Sequence, residues 1–248
     1  MASLAETTFA FTHLPHPAPT PADVRARVLA APGFGSHFSD HMIMIDWNEG
    51  RGWHNATIGP RGPIALDPAA AVLHYAQEIF EGLKAYHQAD GGVALFRPEA
   101  NAARFNHSAQ RLAMPELPED MFVAAVRELV RADRDWLPSG EGSSLYLRPF
   151  MIATEAFLGV RPAKQYKFLV IASPAGNYFK SGAPAVSIWV SQYTRAAPGG
   201  TGEAKCGGNY AASLVPQGEA IARGHDQVVF LDAAEHKWIE ELGGMNLY

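Results

Sequence analysis

The strongest constraint on the fold is a glycine-rich segment at residues 199–214, GGTGEAKCGGNYAASL, in which one lysine, Lys205, stands between two pairs of glycines. Glycine adopts backbone angles that other residues avoid, and its missing side chain lets a flat ligand approach the backbone closely. A lysine in this setting can be presented to a bound molecule rather than to bulk water. Because a lysine amine attacks a carbonyl carbon only when it is uncharged, the segment is compatible with a nucleophilic lysine in a desolvated site.

Other interpretations of this segment differ in how well the residues fit them. A phosphate-binding P-loop requires Gly-Lys-Ser/Thr in succession, whereas Ala204 precedes Lys205 and Cys206 follows it. A dinucleotide-binding turn requires a third glycine three residues after Gly202, but Glu203, Ala204 and Lys205 follow it instead. A plain flexible loop is the usual structure of such a composition, and the segment alone leaves this possibility open.

The overall composition excludes several classes of protein. With 248 residues, 48% of them hydrophobic, the chain can bury a substantial core in one large domain or two modest ones. The net charge is −5 and lysine and arginine are not clustered, so we expect no nucleic-acid or membrane partner and a small-molecule ligand. The single cysteine, Cys206, cannot form an intrachain disulfide, and we expect it to be buried. No basic leader and no 18-residue apolar run is visible, which favours a soluble, cytoplasmic protein. Separately, we expect no bound metal.

Apolar patterning predicts an α/β protein. Residues 1–40 are rich in Pro, Ala and His without sustained periodicity, and we expect a loosely ordered N-terminal arm. Residues 68–77 are compatible with the start of a helix, and helical spacing continues over residues 98–114 and along Phe122, Val126, Leu129 and Val130. The predicted strands up to residue 175 are HMIMIDWN, GWHNATIG, FEGLKAY, VALFRP, SLYLRPFMIAT and KFLVIAS.

A change of pattern divides the chain. The segment GNYFKSGAPA predicts an interdomain linker at residues 176–186, between a small α/β domain at residues 41–175 and a second unit at residues 187–248. The second unit contains the predicted strands VSIWVSQ, QVVFLD and HKWIEE and a helix from Gly208 to Arg223. Because these elements are too few to cover one another's apolar faces, we expect this unit to be the first part of a larger domain whose remainder is absent.

Six blocks resemble the branched-chain amino-acid aminotransferases of the fold-type-IV pyridoxal-phosphate class. They are HYAQEIFEGLKAY, LFRPEANAARFNHSAQRL, SLYLRPFMIATEAFLGV, GNYF, KCGGNYAAS and EELGGMN, in the family's order. D-amino-acid transaminases and aminodeoxychorismate lyases share this D-amino-acid aminotransferase-like fold, but FEGLKAY and SLYLRP favour the branched-chain branch. The resemblance implies an α+β small domain, an incomplete larger domain and the cofactor pyridoxal 5'-phosphate.

The resemblance also implies the residues that hold the cofactor. Lys205 would carry it as a Schiff base and then move the proton at the substrate's Cα. Glu241 matches the acidic partner of the pyridine nitrogen, and the adjacent Glu240 is the alternative, since neighbours on a strand face opposite sides. Arg104 matches the arginine that binds the phosphate, and Tyr210 matches the tyrosine that hydrogen-bonds the phenolic oxygen.

The implied substrate pocket has to accept leucine, isoleucine or valine in one half-reaction and glutamate or 2-oxoglutarate in the other. Arg148 is notable because its strand is apolar, where a charge needs a partner or a pocket. Gly244 stands where many relatives have a threonine, which removes a hydroxyl contact to cofactor or substrate. The resemblance implies that one wall of the pocket is aromatic and is formed by Tyr75, Phe80 and Tyr178. It also implies a homodimer whose second subunit contributes Tyr146, Arg148 and Val160 to the pocket.

The activity implied is transfer of an amino group from a branched-chain L-amino acid to 2-oxoglutarate. Two alternatives remain open at this point. One is a related transaminase or lyase that acts on a D-amino acid or on aminodeoxychorismate, and the other is a folded fragment without turnover.

Overall fold

A computed structural model of the protein describes residues 2–3, 9–176 and 185–248. Contacts within the chain divide it into two compact units, Met1–Lys180 and Ser181–Tyr248. This division falls inside the predicted linker at residues 176–186, of which residues 177–184 lie outside the described ranges.

The first unit is built on one sheet, which has nine strands among the described residues. They are β1 (Ala2–Ser3), β2 (Thr12–His13), β3 (His41–Asn48), β4 (Gly52–Pro60), β5 (Glu78–Phe80), β6 (Leu83–His87), β7 (Val93–Leu95), β8 (Ser144–Ala153) and β9 (Gln165–Ala175). Their order across the sheet is β1-β7-β6-β8-β9-β3-β4-β2, and β5 pairs with β8. The pairing of β2 with β4 is parallel, and the other pairs are antiparallel.

Both predicted hairpins of this sheet are confirmed. In the first, Trp47 on β3 lies opposite Trp53 on β4, and the connecting turn uses the positive φ of Gly50 (90°). In the second, β6 and β7 are joined by a turn in which the N–H of Gln88 donates to the carbonyl of Gly92 (2.9 Å). In both cases the period-2 pattern and the turn residues agreed, which is the condition under which hairpins are predictable.

The described residues of the first unit contain four α-helices, α1 (Ala22–Ala30), α2 (Ala71–Tyr75), α3 (Pro98–Arg111) and α4 (Glu119–Ala132). The helices predicted at α3 and α4 are confirmed, whereas the predicted start at residues 68–77 gives only the five residues of α2. The core joins α3, α4 and β9 through Phe105, Phe122 and Phe168, whose ring centroids lie 5.4 to 5.9 Å apart. No helix within the described ranges is long and apolar enough to cross a bilayer.

The prediction of a loosely ordered arm is wrong for residues 9–40. This segment contributes α1, and β2 extends the sheet beside β4. The Thr20 hydroxyl donates to Asp40 (2.5 Å), as does the Trp136 indole N–H (3.0 Å). Burial disfavours the charge on Asp40, but these hydrogen bonds outweigh it and hold the pKa of Asp40 below its ordinary value. The arm is ordered by contacts with distant residues, which periodicity does not reveal.

The second unit contains a three-stranded sheet among the described residues, with β11 (Gln227–Leu231) between β10 (Ile188–Val190) and β12 (Ile239–Leu242). β10 runs parallel to β11, and β12 runs antiparallel to it. The helix predicted from Gly208 to Arg223 is two helices, α5 (Gly207–Ala211) and α6 (Leu214–Ala222). Pro216 explains the division, because a residue without an N–H fits the first turn of a new helix better than the middle of a continuous one.

The mixed α/β fold class predicted from the sequence is confirmed. In the second unit, buried Ala220, Val228 and Phe230 pack with Trp189 to join α6 to the sheet.

Candidate active site

The backbone around Lys205 is held by one side chain, that of Asn209 on α5. Asn209 Nδ2 donates to the carbonyl oxygens of Thr201 (2.8 Å) and Ala204 (2.7 Å), and its Oδ1 accepts a hydrogen bond from the Thr201 hydroxyl (2.8 Å). The two neighbours of the lysine, Ala204 and Cys206, are each 3% exposed, as predicted for Cys206. The segment therefore has a defined conformation and is not a plain flexible loop.

The amine of Lys205 lies against a phenol. Its Nζ donates a hydrogen bond to the hydroxyl of Tyr210 at 2.6 Å, and both side chains are half-buried. The four residues between them turn from the loop into α5, so that the two polar ends meet. An amine and a phenol in contact form a pair that can exchange a proton.

An arginine that the sequence analysis did not single out joins this pair to an acid. The guanidinium of Arg195 donates to a carboxylate oxygen of Glu241, and its Nε donates to the Ser213 hydroxyl (3.0 Å). Its Cζ lies 4.8 Å from the centre of the Tyr210 ring. The Arg195 side chain is only 6% exposed, so these three contacts compensate for the loss of water around a cation.

Glu241 and Glu240 are separated by the alternation of β12. Glu241 lies opposite Phe230 on β11 and pairs with Arg195, whereas Glu240 is exposed. The geometry therefore brings Glu241, the residue predicted from the motif spacing, towards Tyr210 through a shared arginine. Gly244 follows β12 in a bend and is exposed.

In the first unit, Arg104 on α3 forms a two-point salt bridge with a buried acid. Its Nε and Nη2 donate to the two carboxylate oxygens of Glu81 at 2.5 and 2.8 Å. The Glu81 side chain is 0% exposed, whereas the Arg104 side chain is 54% exposed. The predicted phosphate-binding arginine is thus a fixed guanidinium at the surface of its unit and not a freely moving side chain.

Tyr146 and Arg148, two of the predicted substrate residues, line a cavity of about 240 Å³ in the first unit. They stand two residues apart on β8 and therefore on one face of the sheet. The Phe34 ring packs against that of Tyr146, with 5.1 Å between the centroids. The other lining residues are Gly35, Phe38, Ile171, Ala172 and Ser173. The cavity is walled mainly by apolar groups, with one guanidinium.

Arg148 is held by aromatic groups and a hydroxyl. Its Nη2 donates to the Tyr146 hydroxyl (3.0 Å), and its Cζ lies 4.5 Å from the centre of the Phe80 ring. Its Nε is buried and has no hydrogen-bond partner among the described residues. A buried N–H without a partner is costly, so an acceptor that reached this N–H would be stabilised.

Two other predicted pocket residues, Tyr75 and Val160, are placed away from this cavity. The Tyr75 hydroxyl, at the end of α2, donates to the carbonyl of Leu158, and the Tyr75 and Phe157 ring centroids are 6.3 Å apart. Val160, in the same loop, is 91% exposed. The structure therefore groups Tyr75 with the Val160 loop, and Phe80 with Tyr146 and Arg148. Tyr178 lies outside the described residues.

A second recess of the first unit, of about 360 Å³, is polar and contains none of the predicted site residues among its lining. Asp46 and Lys167 pair there at 2.6 Å. Burial disfavours the charge on Asp46, but hydrogen bonds from Lys167 and Asn55 outweigh it and hold its pKa below the ordinary value. The recess is thus partly filled by its own ion pair. Among the described residues, no group of His, Cys, Asp and Glu is arranged to hold a metal ion.

The residues missed in the sequence are Arg195, Glu81, Phe34 and Phe38. Arg195 did not carry the signal of Arg148, because it follows the polar residues Gln192, Tyr193 and Thr194 and does not stand in an apolar strand. Glu81 stands inside the block FEGLKAY, where an acid between apolar strand residues required a partner. The two phenylalanines lie in the segment that was expected to be a loose arm, so no pattern pointed to them.

Comparison with known proteins gives close relatives. The family model for amino-transferase class IV matches residues 78–248. The Streptomyces coelicolor protein named "Probable branched-chain-amino-acid aminotransferase" is 65% identical over 226 residues, which cover 90% of this chain and 62% of that protein. The branched-chain-amino-acid aminotransferase of Mycobacterium tuberculosis H37Rv is 61% identical over 226 residues, 90% of this chain and 61% of that one. The chain thus spans about three-fifths of the length of these relatives.

Solved structures agree in fold. The T.th. branched-chain amino acid aminotransferase crystallised with pyridoxamine 5'-phosphate superimposes with a TM-score of 0.62 at 31% identity, over 81% of this chain and 62% of that one. The branched-chain amino acid aminotransferase from Escherichia coli gives a TM-score of 0.61 at 26% identity, over 82% and 62% of the two chains. Because the family model matches residues 78–248, which is more than half of its length, the chain belongs to the class IV aminotransferases.

Proposed function

We propose that this chain is the larger part of a pyridoxal-phosphate-dependent branched-chain aminotransferase. The reaction moves the amino group of leucine, isoleucine or valine to 2-oxoglutarate, and gives a branched-chain 2-oxo acid and glutamate. The observation that carries the proposal is the contact of Lys205 with Tyr210, with the Arg195–Glu241 pair beside it. The names of the relatives and solved structures support the same substrate class.

The residues of the second unit fit the proposed cofactor. In pyridoxal phosphate the aldehyde carbon and the phenolic oxygen stand on adjacent ring carbons, so the groups that bind them should be neighbours. Lys205 and Tyr210 are neighbours, 2.6 Å apart. The ring nitrogen stands opposite the aldehyde and needs an acid further away, and Glu241 is separated from Tyr210 by the guanidinium of Arg195. When bound, the cofactor supplies a ring that accepts electrons from the substrate's Cα.

Lys205 has two tasks in the proposed reaction. Its amine attaches the cofactor and, once released by the incoming amino acid, takes the proton from the substrate's Cα and returns it on the cofactor side. The Tyr210 hydroxyl keeps the amine in place between these steps, because it is already a hydrogen-bond partner of Nζ. Asn209 fixes the backbone beneath the lysine, which limits the loss of order when the amine is released.

Glu241 and Arg195 act as a unit in this proposal. A carboxylate at the ring nitrogen favours the protonated ring, which accepts negative charge better than a neutral one. Arg195 holds one carboxylate oxygen and so orients the other, while its side chain is kept rigid by Ser213 and the Tyr210 ring. Arg104, held by Glu81, is the proposed ligand of the phosphate.

The 240 Å³ cavity is the proposed substrate pocket. Phe34, Phe38 and Ile171 offer apolar surface to a branched side chain. Arg148 offers a guanidinium and a buried N–H to a carboxylate. The apolar surface suits the half-reaction with an aliphatic amino acid, and the guanidinium suits the half-reaction with a dicarboxylate.

We further propose that the enzyme is a homodimer in which the Val160 loop reaches the partner's substrate pocket. The support is an exposed apolar loop, in which Leu158 is 67% and Val160 is 91% exposed. Because Tyr75 is bonded to Leu158, Tyr75 would travel with this loop, while Tyr146 and Arg148 would stay with Phe80 in their own subunit. Light scattering tests this: Val160→Asp should give monomers, whereas Phe96→Asp, at a residue 62% exposed, should not.

Spectroscopy of the chain tests the proposed activity. The protein is titrated with pyridoxal phosphate and monitored for the visible absorption band of a lysine-bound cofactor. We expect the band in the intact chain and in Lys237→Ala, and its loss in Lys205→Ala. Addition of L-leucine should then bleach the band, because the first half-reaction needs only one substrate, whereas D-alanine should not.

The other outcomes contradict the proposal in different ways. A band that responds to D-alanine and not to L-leucine indicates a related transaminase with another substrate. A band that responds to neither indicates a folded chain that binds cofactor without turnover. An intact chain without any band overturns the assignment of Lys205.

A further inference from the structure

Glu81 is a buried carboxylate with four hydrogen-bond donors. It accepts from Arg104 Nε (2.5 Å) and Nη2 (2.8 Å), from Asn101 Nδ2 (2.8 Å) and from the N–H of Gly82 (3.1 Å). Asn101 and Arg104 stand three residues apart on α3 and so share a face of that helix. A fully buried acid thus orients two side chains of the helix that bears the proposed phosphate ligand.

The exposure of the ion pair is asymmetric. The Glu81 side chain is 0% exposed and that of Arg104 is 54% exposed. An exposed arginine on a helix normally samples many rotamers, but a two-point bond to a fixed carboxylate holds the guanidinium in one plane. The acid therefore occupies the Nε–Nη2 edge of the guanidinium, and more than half of the arginine side chain is exposed to solvent.

A negative charge next to an anion-binding arginine also opposes the anion. Two observations indicate that orientation outweighs this repulsion. The carboxylate oxygens already receive two further bonds, from Asn101 and the Gly82 N–H, which stabilise the charge locally. The acid is also fully buried, so an anion that arrives from solvent meets the exposed arginine and not the carboxylate.

We propose that Glu81 is a positioning residue that sets the guanidinium of Arg104 for a phosphate monoester. This inference depends on the proposed function, in which Arg104 receives the cofactor's phosphate. Glu81 does not touch the reacting atoms, and its effect is confined to ligands that carry the phosphate group. A carboxylate that only stabilises the fold would have no such selectivity.

The surroundings of Glu81 agree with a role at the site. It follows β5 and its N–H donates to the carbonyl of Pro149 on β8 (2.8 Å). Its neighbour Phe80 lies under the guanidinium of Arg148 on the other face of the strand. Residues 80 and 81 thus support an arginine on each face, one at the proposed phosphate site and one at the proposed substrate pocket.

The test compares two ligands that differ only in the phosphate, pyridoxal phosphate and pyridoxal. Dissociation constants are measured by absorbance titration for the intact chain, Glu81→Gln, Arg104→Gln and the double variant. We expect Glu81→Gln to weaken pyridoxal phosphate about tenfold and pyridoxal less than twofold. The double variant should bind no more weakly than Arg104→Gln, because Glu81 acts only through Arg104.

Two more variants separate positioning from folding. Glu128→Gln removes another largely buried carboxylate that pairs with an arginine, Arg131, and should leave the ratio of the two dissociation constants unchanged. Arg104→Lys keeps the charge but cannot form the two-point bond. It should lose the preference for pyridoxal phosphate, and this measurement remains available if Glu81→Gln does not fold.

Each remaining result has one meaning. Equal weakening of both ligands by Glu81→Gln, or an unchanged preference in Glu81→Gln or in Arg104→Lys, overturns the positioning role while leaving the proposed function intact. A wild-type chain that shows no preference for the phosphorylated ligand overturns the phosphate assignment of Arg104 and the inference with it.

Discussion

The Nζ of Lys205 donates a hydrogen bond to the hydroxyl of Tyr210 across 2.6 Å, from the loop before α5 to the helix itself. The contact is local in sequence, and it lies in a unit whose sheet has three strands among the described residues. Asn209 lies between the two residues and bonds back to the loop. The amine and the phenol are therefore brought together by a short stretch of chain, and Arg195 adds a contact to the tyrosine ring from outside it.

Tyr210→Phe should slow the bleaching of the cofactor band by L-leucine, by about tenfold or more. The ring that lies under Arg195 is kept, and only the hydroxyl bonded to Nζ is lost. Rapid-mixing absorbance measures the rate, and Tyr193→Phe, which removes the hydroxyl of an exposed tyrosine, should react at the wild-type rate. Equal rates in both variants would show that the Tyr210 hydroxyl has no part in the reaction.

Arg195→Met should lower the free energy of unfolding by about 1–3 kcal/mol, because it leaves the Glu241 carboxylate and the Ser213 hydroxyl without a donor. Since the Glu241 side chain is 36% exposed, water replaces part of the lost bond. Urea unfolding followed by tryptophan fluorescence measures the change.

The double variant Arg195→Met/Glu241→Gln should recover part of this stability, because no carboxylate is then left unpaired. Glu240→Gln is the matched control on the exposed side of β12 and should change the free energy of unfolding little. If Arg195→Met were as stable as the wild type, the buried arginine would not be held by the contacts described.

Sequence reasoning succeeded where partners are close along the chain. The two hairpins, α3, α4 and the neighbourhood of Lys205 follow from local patterns of apolar residues, glycines and turns. It failed where a charge is satisfied by a distant partner. Arg195 and Glu241 are 46 residues apart and Glu81 and Arg104 are 23 apart, and no periodicity connects them.

The prediction for the N-terminal segment, residues 9–40, was wrong for a related reason. Its order depends on Asp40, which accepts hydrogen bonds from Thr20, earlier in the chain, and from Trp136, much later in it. Phe34 and Phe38 reach the proposed pocket only because this segment is ordered. The roles of the site residues in cofactor and substrate binding remain predictions that the variants described here test.

Gly82→Ala should destabilise the first unit by about 1–3 kcal/mol. A Cβ at this position would lie 2.4 Å from the Tyr146 hydroxyl oxygen, so the tyrosine or β6 has to move. Tyr146→Phe removes that oxygen and should restore part of the loss in the double variant.

Gly62→Ala provides the control for the change of residue itself, because a Cβ there would have no neighbour within 4 Å among the described residues. Thermal unfolding compares the four proteins. A loss in Gly82→Ala that Tyr146→Phe does not relieve would place the clash elsewhere and separate Gly82 from the substrate cavity.

Asp232 should make the stability of the second unit depend on acid. Its carboxylate accepts the N–H groups of Trp238 (2.8 Å), Lys237 (2.9 Å), Glu235 (2.7 Å) and Ala234 (3.2 Å) in the turn that leads into β12. These backbone hydrogen bonds lower the pKa of Asp232 from 3.8 to about 2. The folded state therefore holds the charged form more strongly than the unfolded state does.

The direction of the pH dependence follows from this shift. The contribution of Asp232 is present above about pH 4 and is lost as the pH falls through about 2, below which the acid is protonated in both states. Asp232→Asn is neutral throughout, so the wild type should be more stable than the variant at neutral pH, and the two should converge near pH 2. Asp90→Asn is the control, since the structure gives Asp90 a single backbone bond, from Gly92 (2.8 Å). If the difference in stability between the wild type and Asp232→Asn were constant from pH 7 to pH 2, the turn would depend on the shape of the aspartate and not on its charge. Acid would then have no effect through Asp232 on β12, the strand that carries Glu241.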